Sequence, residues 1–346
     1  MKFTATILNI LLFSTLACAQ ERMLLLDHSC KNKFPVSTSI STIDNRAENQ
    51  ILGYIETGLN NRITEIKYNG NLADSIGLFF RNIPDHPEIL LMLNEFNLWE
   101  YKDSDGEFGR FKLSIRFFKP IDNNKYVEFM TYDSLHSEHG MDVTNKLLRS
   151  VSKNLCEIAS LTENTAKKAA DLTSKPVYSL SELKVLDSLE KRHIPIYQDV
   201  QIKSGIYTKY ENFKNNTPSE PIELFVDSEN PEQIKIYRIT EKGKKKRILS
   251  QNIYAVSDGS RVYKSLSMGF FEIAKENNDF YYIRPSTKSA GSMYLPLGSF
   301  GLVGGAIGGA VYGLANSYGS RSRGQLLLYK INHRRGNAIP LSKVVN

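Results

Sequence analysis

The sequence predicts an α+β fold: an antiparallel meander sheet with a covering helix, followed by a mostly-β second domain that carries a glycine-rich apolar helix. Three observations lead there. Long runs between Glu88 and Ser134 alternate apolar and polar residues and are divided by Asp/Asn/Gly turns. A helical apolar stripe follows them directly. After about Pro195 the chain breaks into short strand-like runs separated by turn residues, with one glycine-rich exception.

The chain opens with a compartment signal. Met1-Lys2 is a minimal positive start, and Ile7 to Leu16 is an apolar run too short to span a bilayer. Ala17-Cys18-Ala19 then fits a small-x-small cleavage site, giving a signal peptide over 1–19 and a mature start at Gln20. Lipidation of Cys18 is the alternative. Thr15 stands where a lipidation signal usually has a large aliphatic residue, so plain cleavage is the expectation. The protein is therefore expected to be exported, to the periplasm or outer envelope. In an oxidising compartment the two remaining cysteines, Cys30 and Cys156, are either a disulfide or two buried thiols.

The first domain is expected over 30–161. Val36–Ile43 and Ile63–Tyr68 are candidate strands, and Leu72, Ile76, Phe79, Phe80 and Ile83 have helical spacing behind an Asn71 cap. Glu88–Glu100, Phe108–Lys119 and Lys125–Ser134 form the meander. The middle run sets Phe111, Leu113, Ile115 and Phe117 on one face and Lys112, Ser114 and Arg116 on the other. A helix from Asp142 to about Ser160 presents Val143, Leu147, Val151, Leu155 and Ile158 to cover one face.

A helical connector is expected over 162–194. It is Ala/Lys-rich, broken at Pro176, and restarted at Ser179 with Glu182 completing a capping box. The mostly-β domain then occupies 195–346. Its candidate strands are Gln198–Tyr207, Ile222–Val226, Gln233–Ile239, Ile253–Ser257, Ser260–Leu266, Phe270–Ala274 and Phe280–Arg284. Gln325–Asn332 and Ala338–Leu341 make a closing hairpin around Arg335-Gly336-Asn337.

The exception is the stretch 297–315. Gly301, Gly305, Gly309 and Gly313 recur every four residues, a bare ridge on which a partner helix could pack closely. Three readings stay open: a membrane-spanning helix, a helix packed on its own domain or on a second copy, and an irregular loop. Seven large apolar residues offer only about −2 to −4 kcal/mol toward insertion. Glycine costs a helix about 1 kcal/mol each relative to alanine, so a helix here needs a close partner.

Charge and motifs exclude more than they assign. The formal charge is +7, of which Lys2 and the six cations after the stretch account for all, so residues 3–320 sum to zero. That balance and the export signal argue against nucleic acid as a partner. Ser150-x-x-Lys153, with Lys203-Ser204-Gly205 and Ser257-Asp258-Gly259, mimics a serine hydrolase set in the wrong order, with the serine mid-helix. His136 and His139 lack strong zinc spacing and read better as a strand-to-helix loop. Asp103–Glu107 is too short for a calcium loop. Lys242–Arg247 could touch anionic lipid or glycan but reads first as a solvated hairpin tip. No catalytic residue, metal site or cofactor is predicted.

SISTIDNR (Ser39–Arg46), LGYIETG (Leu52–Gly58), GIYTKYENFKNNTPS (Gly205–Ser219), NIYAVSDGSRVY (Asn252–Tyr263) and FYYI (Phe280–Ile283), with the Ala19-Gln20 junction, resemble uncharacterised secreted envelope proteins of Bacteroidota-type bacteria. The resemblance implies a location and no chemistry. The strand-strand-strand-helix order also resembles transport auxiliary lipoproteins. The expectation is a non-enzymatic envelope protein that binds or assembles through 297–315. An envelope hydrolase, or another enzyme with a hidden site, is the alternative.

Overall fold

The computed structural model describes residues 21–30, 40–46, 50–57, 62–80, 89–103, 106–122, 124–140, 142–168, 174–227, 234–267, 269–285 and 326–344. The expected signal peptide, Cys18 and the glycine ridge (Gly301, Gly305, Gly309, Gly313) lie outside these residues. The fold is mixed α+β, mostly sheet.

The first sheet has eight strands. They are β1 (Arg22–Met23), β2 (Ile40–Asp44), β3 (Ile51–Thr57), β4 (Arg62–Lys67), β5 (Ile89–Asp103), β6 (Gly106–Asp122), β7 (Lys125–Gly140) and β8 (Val177–Ser179). The path runs β1-β4-β3-β5-β6-β7-β8, and β2 also pairs with β5. The antiparallel β5-β6-β7 meander is its spine. The strands β2 and β3 lie parallel to successive parts of β5. Gly53 permits the second contact. A Cβ there would fall 1.7 Å from the Leu98 carbonyl oxygen, at φ +147°.

Two helices cover one face. The first, α1 (Leu72–Gly77), is capped by Asn71, which accepts from the Asp74 N–H, and runs into a 3₁₀ turn at Leu78–Phe80. The second, α2 (Val143–Lys168), lays Leu147, Val151, Leu155 and Ile158 against Phe111, Leu113, Ile115 and Phe117, all buried. Each such side chain contributes roughly 1.5–3 kcal/mol on burial. The helix continues past Ser160 into the stretch expected as connector. Cys30 and Cys156 are joined in a disulfide that ties the N-terminal arm to α2.

Short helices α3 (Leu180–Leu183), α4 (Leu186–Lys191), α5 (Pro195–Gln198) and α6 (Tyr210–Lys214) lead into the second half. The Ser179–Glu182 capping box is formed. Gln198–Tyr207, expected as one strand, is a strand only over β9 (Gly205–Tyr207): a turn of helix begun at Pro195 takes Gln198, and Asn216 bonds the Gln201 carbonyl and the Lys203 N–H of the irregular run between.

The remaining strands are β10 (Leu224–Asp227), β11 (Lys235–Ile239), β12 (Lys245–Arg247), β13 (Ala255–Ser257), β14 (Val262–Leu266), β15 (Gly269–Glu276), β16 (Asp279–Pro285), β17 (Leu326–Ile331) and β18 (Ala338–Val344). Strands β10-β11-β12 form a small sheet, and β18-β17-β16-β15-β14-β13-β9 form a seven-stranded one. The small sheet packs Ile234, Ile236 and Ile248 on Ile206, Val256, Tyr263 and Phe270 of the larger.

The two large sheets meet. Ile51 and Tyr54 of β3 belong to the core of the seven-stranded sheet. The Tyr54 hydroxyl donates to the Leu341 carbonyl at 3.3 Å. The rest of the junction is polar.

Candidate functional site

The junction is built from the face of β6 opposite α2. Alternation places Lys112, Ser114 and Arg116 there, and all three are buried. A bulge in β5 between Leu93 and Glu95 brings Glu95 onto the paired position beside Ser114. Onto this face docks the turn 332–337 between β17 and β18. Asn332 shapes the turn, its Oδ1 accepting from the Arg334 and Arg335 backbone N–H groups at 2.8 and 3.1 Å. The Tyr210 and Tyr254 hydroxyls hold it from outside, donating to the carbonyls of His333 (2.6 Å) and Gly336 (2.8 Å).

Two ionic arms cross the junction. In the first, Arg116 is only 2% exposed. Its Nη1 lies 2.9 Å from Glu190 Oε1, and its Nε donates to Glu128 Oε2 at 2.9 Å. Glu190 Oε2 meets His333 Nε2 at 2.8 Å and Arg334 Nε at 3.7 Å. Burial pushes the Glu190 carboxyl up, but the His333 hydrogen bond and the Arg116 and Arg334 charges outweigh it and bring it down to about 2. The same partners, Glu190 and Glu128, raise Arg116 against its burial.

In the second arm Asn332 Nδ2 donates to Glu95 Oε1, and Lys112 Nζ lies 3.7 Å from Glu95 Oε2 and bonds Asp133. Arg335 Nε reaches Asp133 Oδ2 at 3.1 Å. Glu95 is raised, because burial exceeds what Lys112 and Asn332 return. Beside these arms Asp279 takes Lys191 at 2.7 Å and Lys330 at 2.9 Å.

Asp187, Glu190 and His333 bring three metal-type ligand atoms within 4.8 Å of one another. Their chemistry opposes a dication. Glu190 already pairs with two guanidinium groups and hydrogen-bonds His333, and Asp187 accepts from Asn45 at 3.2 Å. The cavity there measures about 40 Å³, room for a few ordered waters but not for an organic ligand. The arrangement clamps two sheets together.

The residues singled out from sequence lie elsewhere. His136 and His139 are not in a loop. The strand β7 runs on to Gly140 because the long β6 supplies pairing partners as far as Glu107. An odd separation on a strand puts the two rings on opposite faces. His136 bonds Glu138 at 2.8 Å, and His139 packs on Phe108. The Ser150 hydroxyl donates to the Leu147 carbonyl within α2, which covers the first sheet, and Ser257 sits in β13 of the seven-stranded sheet. Asp103 pairs with Gly106 at the β5-β6 turn. Lys245–Arg247 of the basic run form β12. None of these joins the junction. Its carriers, Glu95, Lys112, Arg116, Glu190 and His333, carry no motif. Arg335-Gly336-Asn337, a turn by its sequence, is where a local pattern touches the junction.

A family model described as "Family of unknown function (DUF6563)" matches residues 205–345, which span β9 to the end of β18. No curated protein matches the chain. Among solved structures, the crystal structure of protein XCC0632 from Xanthomonas campestris (family-model DUF330) aligns at 8% identity and a TM-score of 0.30. That alignment covers 43% of this chain and 98% of the other.

Proposed function

We propose that this chain is a non-enzymatic exported protein of the cell envelope, acting in binding or assembly through the segment that contains the glycine ridge 297–315. One observation carries the reading. Pro285 at the end of β16 pairs with Leu326 at the start of β17, so 40 residues are inserted between two adjacent antiparallel strands. Two residues suffice for such a connection, and insertions beyond about 12–15 are uncommon outside functional loops and linkers. The sheet does not need 286–325 for its own closure.

The pairing also constrains how the segment meets a membrane. It keeps both ends of 286–325 on one side of any bilayer. A single crossing would separate them. Of the three readings, the single crossing is the one this register disfavours; packing on its own domain or on a second copy, and an irregular loop, stay open. The Cys30–Cys156 bond supports an oxidising compartment, and the ion pairs of Glu190 and Asp133 across the junction support a scaffold.

Fractionation of the native envelope, with carbonate and then detergent extraction, tests this. Recovery with the envelope, released by detergent or carbonate, is expected. Recovery of the whole population in the cytosol, with the N-terminus intact, would refute it.

A further inference from the structure

We propose that the outer face of the small β10-β11-β12 sheet docks on an anionic lipid surface. This rests on described residues and is independent of the segment 297–315. Register defines the face. Phe225 pairs with Tyr237 and Tyr237 with Arg247, while Ile239 pairs with Lys245. Ile236 is fully buried beneath the sheet. Alternation therefore turns Phe225, Tyr237, Ile239, Lys245 and Arg247 outward together.

Charge is concentrated on this hairpin. Across Leu224–Arg247 seven cations stand against four acids (Asp227, Glu229, Glu232, Glu241), a net of +3, and the surplus lies in Lys235–Arg247, where five lysines and two arginines face Glu241 alone, although residues 3–320 as a whole sum to zero. Arg238 is held by Glu220 at 3.1 Å. Among the described residues no carboxylate lies within ion-pair distance of Lys244, Lys245, Lys246 or Arg247, and all four are exposed. Lys245 instead lies 3.1 Å over the ring of Phe225, which is itself 41% exposed. Leu249, just beyond the hairpin, is 64% exposed.

A lipid surface fits this chemistry better than a polyanionic glycan. The cations are mainly lysines, mobile point charges that suit a fluid array of headgroups rather than bidentate recognition of one fixed group. The exposed Phe225 and Leu249 provide apolar groups for the interfacial zone, which a glycan would leave unused.

The test is vesicle co-sedimentation of the mature chain, on phosphatidylcholine alone and on phosphatidylcholine mixed with phosphatidylglycerol. Binding is expected only to the mixed vesicles, weakening as salt rises. Lys245→Glu with Arg247→Glu should weaken it at least tenfold, and Phe225→Ala should weaken it at unchanged charge, with melting of both variants matching the parent. Equal binding to both vesicle types overturns the proposal, as does undiminished binding by the charge-reversed variant. Binding to an anionic polysaccharide with none to mixed vesicles overturns it too. The salt titration of the parent stands even if a variant misfolds, and salt-independent binding is likewise fatal.

Discussion

The two oxygens of Glu190 face two different sheets: Oε1 meets Arg116 of β6 at 2.9 Å, and Oε2 meets His333 of the β17-β18 turn at 2.8 Å. One carboxylate on a short helix thus ties both halves of the chain. Its position explains why the junction can be polar and still cohesive. Glu190, Arg116 and Asp133 each face opposite charges across the junction, Glu95 is left under-compensated by its burial, and removing one partner strands the others.

Acid should therefore loosen the junction through Glu190. Its folded-state value, about 2, lies below its ordinary 4.5. A depressed acid stabilises the fold above the unfolded value and loses that contribution as pH falls toward the folded one. The contribution is on the order of 3 kcal/mol, lost between pH 4.5 and about 2. Urea unfolding across that range should show the decline in the parent. Glu190→Gln should be less stable at pH 7 and should lack most of that decline. An unchanged acid limb in the variant would reassign the effect to other carboxylates.

Lys264 should act in the opposite sense. It is 8% exposed, its Nζ donates to the Tyr254 carbonyl at 3.1 Å, and it lies 3.3 Å over the Tyr254 ring. Burial pushes its ammonium down to about 7 from an ordinary 10.5. Between those values the unfolded chain holds the extra proton, so stability from this group rises with pH from about 7 to 10.5 and its cost is full below 7. Lys264→Met, similar in length and uncharged, should stabilise the protein by up to about 4 kcal/mol at or below pH 7. The gain should shrink toward pH 10. Calorimetric melting at several pH values measures it, and a pH-independent loss of stability would show that the amine's hydrogen bond outweighs its burial.

The disulfide should matter mainly through the unfolded chain. Cys30 and Cys156 are 126 residues apart. Opening a loop of this length costs about 5 kcal/mol in the chain-entropy model. Cys156→Ser, or reductant, should lower the urea midpoint accordingly. The arm should also loosen locally, although Asp27 N–H still donates to Ser152 Oγ at 2.9 Å. Hydrogen exchange at Arg22 to Cys30 would report that loosening. Identical midpoints with and without reductant would show that the bond adds nothing.

What could be read in advance follows from how local each signal is. Alternation in β6 and the stripe of α2 located the helix-covered core correctly, since each pattern is complete within one element. The same alternation sets Lys112, Ser114 and Arg116 on the opposite face and says nothing of what covers it. They are buried because a turn more than two hundred residues later covers them, and no period in β6 encodes that. The strand β3 escaped for a different reason. Gly53 looks like a strand breaker, yet its missing side chain is what lets β3 approach Leu98. The junction combines both difficulties, with residues from β5, β6, β7, α4 and the final hairpin and no spacing between them to read.

The glycine ridge gives the last prediction. If Gly301, Gly305, Gly309 and Gly313 form one helical row against a partner, Gly305→Leu or Gly309→Leu places a bulky side chain where backbones meet. Overpacking typically costs about 1–3 kcal/mol. Leucine also raises hydrophobicity, so a segment that merely dips into lipid should enter at least as well as before. An exposed loop should hardly respond. Both substitutions should therefore lower thermal stability or self-association, with Ser299→Leu, off the row, milder. Because Pro285 and Leu326 are paired neighbours, strain in the segment is borne at the adjoining ends of two interior strands, and the Pro285 end of β16 and the Leu326 end of β17 should lose exchange protection first. Melting and crosslinking in detergent separate the cases. If all three variants match the parent in both, the row does not pack against anything, and the segment acts by some property other than its bare ridge.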